Sequence, residues 1–541
     1  MILAVAMMFI DQTIVALAIP SLQHDLKLSP TGSQWIVNGY LLALSALFAV
    51  GGRIADIYGH RRTVILGTTA FAIFSALCGA TPTGSLGQTW MIVFRVLQGA
   101  SAAFLFPAAL AIVVSNYAVH ERGKYLAIFF SISGALTSIG PIAGGYLTQW
   151  TWRSIFWINV PVAILAVALT IIAKPPQEPH RDERIDTRGA VLVCAGMAIG
   201  VLGLQQASAR GWGSIATWAC LVAGLALLVA FVRWELRAEQ PLIPVRLFAN
   251  RGFAVDNVVL FLLSICFVPL FFFGSLYAQI ALGESASNAG LILFVFFGGF
   301  TIAAQWGGRI LDRRGARPTV VLGCAVSAVG FYLWANNLDA LSFSKQWPYL
   351  AIAGAGMGLT LGPVSTDALN RAASNAYGAV TGVTQTVRNF GGSLGLAVLG
   401  SLLITTTTTK VEKTLTGSPY HVPKAVASQI AHAVSGASSG ASGSGSGASR
   451  GSAPGGSVHA VRVDFAQSVR VVVIGMAAAM AVAFVVAVLR MPRGQAGYEP
   501  VGRFVPNPAG GDIGEGSVCG EPIAPRGSDI CVLHRRESAD P

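Results

Sequence analysis

Gly51-Gly52-Arg53-Ile54-Ala55-Asp56-Ile57-Tyr58-Gly59-His60-Arg61-Arg62-Thr63-Val64-Ile65-Leu66-Gly67 recurs further along the chain as Gly307-Gly308-Arg309-Ile310-Leu311-Asp312-Arg313-Arg314-Gly315-Ala316-Arg317-Pro318-Thr319-Val320-Val321-Leu322-Gly323. Eleven of the seventeen positions are identical at a constant offset of 256 residues, which chance does not plausibly produce, so the chain holds two related halves. Each copy is a short polar joint between two long apolar runs. Gly59 and Gly315 suit the tight reversal that such a joint requires.

The surroundings of the joints are those of a membrane protein. Of 541 residues, 53% are hydrophobic and only 11% charged, against roughly a quarter charged in ordinary soluble domains. Apolar runs of about 20 residues, long enough to cross the hydrocarbon core as helices with every backbone group satisfied internally, recur along almost the whole sequence. They are expected at about 1–20, 34–55, 62–80, 89–115, 124–149, 153–173, 188–206, 214–235, 253–281, 287–311, 318–336, 347–368, 379–404 and 466–490, fourteen in all. The stretch 405–465, a Thr run followed by a Ser/Gly-rich segment, is expected to be a flexible external loop, and 491–541 a disordered tail.

Charge tests that count independently. Alternate loops carry Arg53, Arg61 and Arg62; Arg122 and Lys124; Lys174, Arg181, Arg184 and Arg188; Arg233, Arg237, Arg246 and Arg251; Arg309, Arg313, Arg314 and Arg317; and Arg371. The intervening short loops hold only Lys27, Arg153, Arg210 and Lys345. By the positive-inside rule the first set is cytoplasmic, which places both termini on that side and both copies of the repeat in one orientation. The halves are therefore parallel.

Composition also excludes several classes of function. The net charge of +12 sits in loops between apolar runs and not on one face of a domain, which disfavours nucleic acid. Five of the seven Cys (Cys78, Cys194, Cys220, Cys266, Cys324) lie singly inside apolar runs, Cys519 and Cys531 lie in the tail, and no CxxC pair suggests zinc or a redox dithiol. No phosphate-cradling GxxxxGK[ST] occurs, so ATP is not the expected energy source. HExxH is absent too, and Gly354-x-Gly356-x-Gly358 falls inside a span, where it reads as packing. No enzyme activity, metal or cofactor is expected. The first apolar run begins at Met1 without a polar lead-in or a basic signal-peptide region, which points to a start upstream.

Gly52-x3-Asp56-x2-Gly59-x-Arg61-Arg62 resembles the signature loop of the major facilitator superfamily between its second and third helices. Asp11-x-Thr13-Ile14-Val15, Arg95-x2-Gln98-Gly99, Gly134-x5-Gly140-Pro141-x2-Gly144-Gly145, Trp152-Arg153-Ser154-Ile155-Phe156 and Asn159-Val160-Pro161 add a resemblance to its fourteen-helix drug:proton antiporters. The resemblance covers residues 1 to about 404, and the last span joins by position and hydropathy. It implies an all-α integral membrane fold: two parallel six-helix bundles with the substrate site between them, plus two additional central helices. On that reading 1–173 is the N-terminal bundle, 174–250 the two-helix insert with its loops, and 251–490 the C-terminal bundle. It further implies a monomeric exporter in a bacterial cell membrane, moving drug-like hydrophobic or cationic small molecules in exchange for protons. An importer or facilitator of a metabolite is the competing transport reading, and a membrane-embedded enzyme or receptor the reading from another class.

Ionisable groups inside spans are costly, about 2.5–3.5 kcal/mol on insertion scales, so each needs a partner or a task. Asp11, Arg95, Gln98 and Asp367 are the candidates for proton coupling or substrate contact, the competing reading of the charged ones being a fixed interhelical ion pair. Gly52, Asp56, Gly59, Arg61 and Arg62, with Gly308, Asp312, Gly315 and Arg317, form the candidate conformational latch, or else simply tight turns. Gly134, Gly140, Pro141, Gly144 and Gly145 are the helix pattern that accompanies exporters in the resembling family. Asp256, Asn257, Gln279, Gln305, Gln385, Arg388 and Asn389 are weaker polar candidates, expected mainly to serve helix ends and interhelical hydrogen bonds. The run Phe271 to Phe273 with Tyr277 is a candidate for stacking a flat or cationic drug, with lipid-facing packing the stronger expectation.

Overall fold

Ser29 and Ser285 stand 256 residues apart and open two helices in the same way. Ser29 Oγ accepts from the Gly32 amide at 3.0 Å and Ser285 Oγ from the Asn288 amide at 3.3 Å, each satisfying a donor that a helix N-terminus leaves unpaired. The two helices also end alike. Gly59 (φ 94°) and Gly315 (φ 80°) take positive φ, and each donates its amide to the carbonyl four residues back, Ala55 and Leu311, at 2.9 Å.

The computed structural model describes residues 1–116, 129, 139–174, 186–210, 212–238, 241–243, 245–371, 377–417, 422–424, 427, 430 and 455–494. Among them are fourteen helices of ten or more residues, besides the single helical turn Ser154–Trp157: α1 Ile2–Leu26, α2 Pro30–Tyr58, α3 His60–Gly79, α4 Gly87–Ser115, α5 over 139–150, α6 Asn159–Ala173, α7 Thr187–Arg210, α8 Ile215–Glu235, α9 Arg251–Leu276, α10 Ala286–Arg314, α11 Ala316–Asn337, α12 Phe343–Asn370, α13 Tyr377–Thr416 and α14 Gly455–Arg490. Twelve are long and apolar enough to cross a membrane. The other two are α5, described only from residue 139, and α12, whose 28 residues are diluted by Gly and by Lys345, Gln346 and Asp367. Gly134, Arg122, Lys124, the Ser/Gly-rich segment up to residue 454 and the tail from 495 lie outside the described residues.

Two bundles follow from the pairings. In α1–α6, α4 packs on α2 and α3, and α6 packs on α3 and α1. In α9–α14, α12 packs on α10 and α11, and α14 packs on α11 and α9, the same pattern eight helices later. The repeat reaches well beyond the seventeen residues that disclose it. Pro107 of α4 lies 3.5 Å from where a Cβ on Gly52 would stand, and Pro363, 256 residues on, lies 3.3 Å from that of Gly307, the other glycine of the duplicated Gly-Gly pair. Arg61 donates to the Ile171 carbonyl in the last turn of α6, and Arg317 to the Val488 carbonyl in the last turn of α14. A guanidinium at a helix C-terminus satisfies carbonyls that have no intrahelical partner and complements the dipole. This second Arg makes α14 the sixth helix of its half.

The extra pair, α7 and α8, sits between the halves in sequence and against both in space, α7 packing on α2 and α13. At its loop end, Trp234 Nε1 donates to Asp186 Oδ2 at 2.8 Å and the Ile243 amide to Glu235 Oε2 at 3.2 Å. Along α8 the residues Ile215, Trp218, Val222, Leu225, Val229, Val232 and Leu236 recur at spacings of three and four and are exposed. A stripe of that kind turned outward is the inverse of a water-soluble helix and suits lipid.

Two boundaries differ from the sequence reading. The helix α1 continues through Pro20 to Leu26, because a proline ring removes one hydrogen bond and the surrounding helices hold the rest. The expected loop 405–465 is helical at both ends, through Thr416 and again from Gly455. Its Thr run stays helical by back-bonding: the hydroxyls of Thr406, Thr408 and Thr409 donate to the carbonyls of Leu402, Ile404 and Thr405 at 2.6, 2.9 and 2.8 Å. Lys410 Nζ then bridges to Gln467 Oε1 at 3.0 Å and ties the two extensions together.

Candidate functional site

The centre of the N-terminal bundle is polar and closed. Asp11 of α1 and Arg95 of α4 are 0% and 1% exposed, and Arg95 Nη1 donates to Asp11 Oδ2 at 2.6 Å. Gln98, one turn after Arg95, donates from Nε2 to Asp11 Oδ1 at 3.0 Å and accepts from Arg95 Nη1 at 2.7 Å. Asn159 of α6 donates to the same Oδ1 at 3.3 Å and to Ser75 Oγ at 2.9 Å, and Ser75 donates to the Phe156 carbonyl at 2.8 Å. The guanidinium is completed by the Ile36 carbonyl, 3.0 Å from Nε, and by the Tyr40 ring, whose centroid lies 4.4 Å from Cζ. Gly99 makes this reach possible: a Cβ there would stand 2.3 Å from the Tyr40 carbonyl. Both carboxylate oxygens thus have donors, and the pair is neutral as it stands. Removing one member of such a buried pair leaves the other charge uncompensated.

The structure therefore brings Asp11, Arg95 and Gln98 into one cluster. Asn159 and Ser75 belong to it as well. Asn159 was visible in the sequence only as part of a motif, and Ser75 carries no sequence signal.

Gly140, Pro141, Gly144 and Gly145 place α5 between the halves. A Cβ on Gly140 would fall 2.0 Å from Thr13 Oγ1 and one on Gly144 2.8 Å from Ile14, so this face of α5 lies on α1 beside Asp11. The adjacent face meets the other half: a Cβ on Gly145 would stand 2.6 Å from the Ala286 carbonyl, and one on Gly290 of α10 2.3 Å from the Pro141 carbonyl. Gln149 donates to Ser287 on the same contact. Further bridges between the halves are Ser393 of α13 to Asn38 of α2, and Gln279, after α9, from Nε2 to the Leu17 carbonyl at 3.2 Å. By the direction of each helix, the Gly145, Gly290, Gln149 and Gln279 contacts lie toward the end of the bundle opposite the Gly59 and Gly315 turns. That end is closed.

At the turn end, Asp56 lies 3.7 Å from His60 Nε2 and Asp312 is exposed. Gly52 and Gly308 are helical, and around Gly308 there is open space. Gly59→Ala and Gly315→Ala each force a side chain into a backbone region costing about 1–3 kcal/mol. Each is expected to lower the unfolding midpoint of the purified protein, and an unchanged midpoint in both would show that the turns relax.

Asp367 lies apart from the N-terminal cluster, in the other half. Arg371, following α12, donates from Nη2 and Nε to Asp367 Oδ2 at 2.6 and 2.9 Å and from Nε to Asp256 Oδ2 of α9 at 3.2 Å. Asp256 is thus a member of a charged triad that ties α9 to the end of α12. Arg388 donates to Gln385 at 2.9 Å, while Gln305 is exposed. Phe271, Phe272, Phe273 and Tyr277 do not face lipid: each is at most 3% exposed, and Phe271 stacks on Phe297 at 5.2 Å between ring centroids. Phe271 packs against Phe267, Phe296 and Phe297, which with Phe300 form an aromatic core. Phe267 and Phe296 stand 256 residues after Asp11 and Tyr40. One half is thus polar where the other is aromatic.

Two like six-helix bundles of membrane-spanning length, with charged groups buried in each, are the architecture of a membrane transporter built from parallel repeats. Comparison with known proteins agrees, and the chain belongs to the Major Facilitator Superfamily, whose model matches residues 1–396. It is 34% identical over 409 residues to the tetracenomycin C resistance and export protein of Streptomyces glaucescens, covering 74% of each chain. It is 36% identical over 403 residues to the cephamycin export protein CmcT of Amycolatopsis lactamdurans, covering 72% of this chain and 81% of that one. The multidrug transporter protein MdtP of Bacillus subtilis is 31% identical over 412 residues, with 74% of each chain covered. Among solved structures, a bacterial homolog of the human lysosomal transporter Spinster superposes with a TM-score of 0.55 at 15% identity, over 91% of this chain and 96% of that one. A D-xylose–proton symporter gives 0.54 at 13% identity, over 80% and 94%. These two likenesses concern the fold alone.

Proposed function

We propose that the protein exports drug-like small molecules across a bacterial cell membrane in exchange for protons, by alternating access between its two halves. The observation that carries the reading is the α5 pattern: its glycines seat one face on α1 beside the Asp11–Arg95–Gln98 cluster and the other on α10 of the opposite half. Ionic chemistry and the moving interface are thereby in contact. Relatives named for exporting or resisting tetracenomycin C and cephamycin support export and the substrate class. The charge pattern of the loops supports cytoplasmic termini and a cytoplasmic position for the Gly59 and Gly315 turns, so the closed end faces outward. On this reading the chain works as a monomer in the bilayer, performs no covalent chemistry, and needs no cofactor besides the coupling proton. One charge crossing 100 mV supplies about 2.3 kcal/mol, enough to sustain a severalfold outward concentration of substrate.

The test is accumulation of fluorescent aromatic antibiotics in bacteria lacking their own pumps. Expression is expected to lower accumulation severalfold, and a protonophore to restore it. Equal accumulation with and without the protein across a broad panel would end the drug-export reading.

A further inference from the structure

The two halves treat their buried acids differently. Asp11 has a donor on each oxygen and a guanidinium of its own. In the C-terminal half, two carboxylates share one guanidinium: Asp256 and Asp367, 0% and 1% exposed, both reach Arg371. Arg371 favours Asp367, giving it two bonds and Asp256 one longer bond. Asp256 Oδ1 is buried and has no hydrogen-bond partner among the described residues.

The charged groups acting on Asp256 are Asp367 and Arg371. The other elements packed on α9 are α1, α10, α13, α14 and the turn Val245–Ala249. None of the charged groups on those elements acts on Asp256: Asp11 pairs with Arg95 and Arg470 with Asp339, while Arg388 donates to the neutral Gln385 and Arg246 to the Leu236 carbonyl. The triad thus carries one carboxylate more than it has cations to match. A carboxylate is acceptor-only, while a carboxylic acid has one O–H to donate. A proton on Asp256 makes the triad neutral and removes the cost of burying an unmatched negative charge on an oxygen that accepts no hydrogen bond among the described residues.

We propose that Asp256 and Asp367 form the site that carries the exchanged proton, with Arg371 as their fixed counter-charge and the Asp11–Arg95 pair keeping its charges throughout the cycle. The step is a proton binding to Asp256 Oδ1 from one side of the membrane and leaving as a hydrated proton on the other, so the triad alternates between neutral and singly negative. Gly252 positions the guanidinium: a Cβ there would stand 2.3 Å from Arg371 Nη1, so the first turn of α9 lies directly against it. This assignment rests on the proton-exchange reading given above.

The experiment uses the full chain in proteoliposomes with a fluorescent substrate, measuring uptake driven by an imposed pH gradient and, separately, exchange of labelled for unlabelled substrate with no gradient. Wild type must show driven uptake, and its failure would refute proton exchange itself and not the assignment. Given that activity, Asp256→Asn is expected to lose at least tenfold in driven uptake while retaining exchange at saturating substrate within about twofold, because a side chain that cannot release a proton uncouples the two fluxes without removing the substrate site. Asp256→Glu is expected to restore part of the driven uptake, and Asp256→Asn to abolish the proton release that substrate binding causes in an unbuffered solution with a pH dye. Gradient-driven uptake at the wild-type rate in Asp256→Asn would overturn the proposal. So would loss of exchange in both Asp256→Asn and Asp256→Glu, which marks a purely structural role.

Discussion

Asp11→Asn alone is expected to destabilise the protein by about 3–5 kcal/mol, the usual cost of removing one partner of a buried ion pair, and Arg95→Gln in the same chain to return most of that loss. The reason is where the cost arises. Arg95 is 1% exposed, and its Nη1 is committed to Asp11 and Gln98. Without the carboxylate, its charge is buried with only the Ile36 carbonyl, Gln98 and the Tyr40 ring to offset it. Removing the charge as well leaves a neutral, hydrogen-bonded cluster. A double-mutant cycle on thermal unfolding in detergent checks this. A double variant clearly more stable than Asp11→Asn supports the tight pair, and simply additive losses would show that the two residues do not depend on each other.

Gly290→Ala is expected to reduce transport at least tenfold in a protein that still inserts and folds, whereas Gly298→Ala on the same helix is expected to leave transport unchanged. A Cβ on Gly290 would stand 2.3 Å from the Pro141 carbonyl of the other half, and backbone cannot swing aside as a flexible side chain can. Around Gly298 there is nothing within 4 Å. Interiors this tightly packed register even one methyl group. The wedge falls on the closed end, so a cysteine introduced at Ser287, in a chain stripped of its native cysteines, is expected to label faster from that side when Gly290 is Ala. Unaltered transport and labelling would mean that α5 and α10 do not form the seam that must close.

How much of this was legible in the sequence depended on whether the signal was local. The duplicated loop disclosed two parallel halves because identity at a fixed offset needs no three-dimensional knowledge, and the structure extends it to Ser29 with Ser285 and Pro107 with Pro363. Asp11 and Arg95 stood out because charge inside an apolar run is expensive. That they touch could not be read, since 84 residues separate them and only the packing of α1 on α4 brings them together. Arg371 was counted with the loop charges, because at the end of α12 a residue that flanks a span and one that turns back into the bundle look the same in sequence. From sequence alone Asp256 accordingly reads as an ordinary helix-end or interhelical hydrogen-bonding acid. The triple Phe misled for a related reason: three consecutive residues at 100° each sweep most of the helix circumference, so the pattern has no face and cannot tell lipid from core. The Thr run misled because β-branched residues are weak helix formers, and back-bonded hydroxyls offset that weakness here.

The central claim is that substrate and proton move in opposite directions through one protein. It is tested most directly with purified protein alone in proteoliposomes, by following a fluorescent substrate and internal pH together after a pH jump. The account predicts that substrate accumulates above its equilibrium level on the acidic side while protons move the other way, and that reversing the gradient reverses both fluxes. Substrate that only equilibrates, at a rate indifferent to the size and sign of the pH gradient, would contradict it.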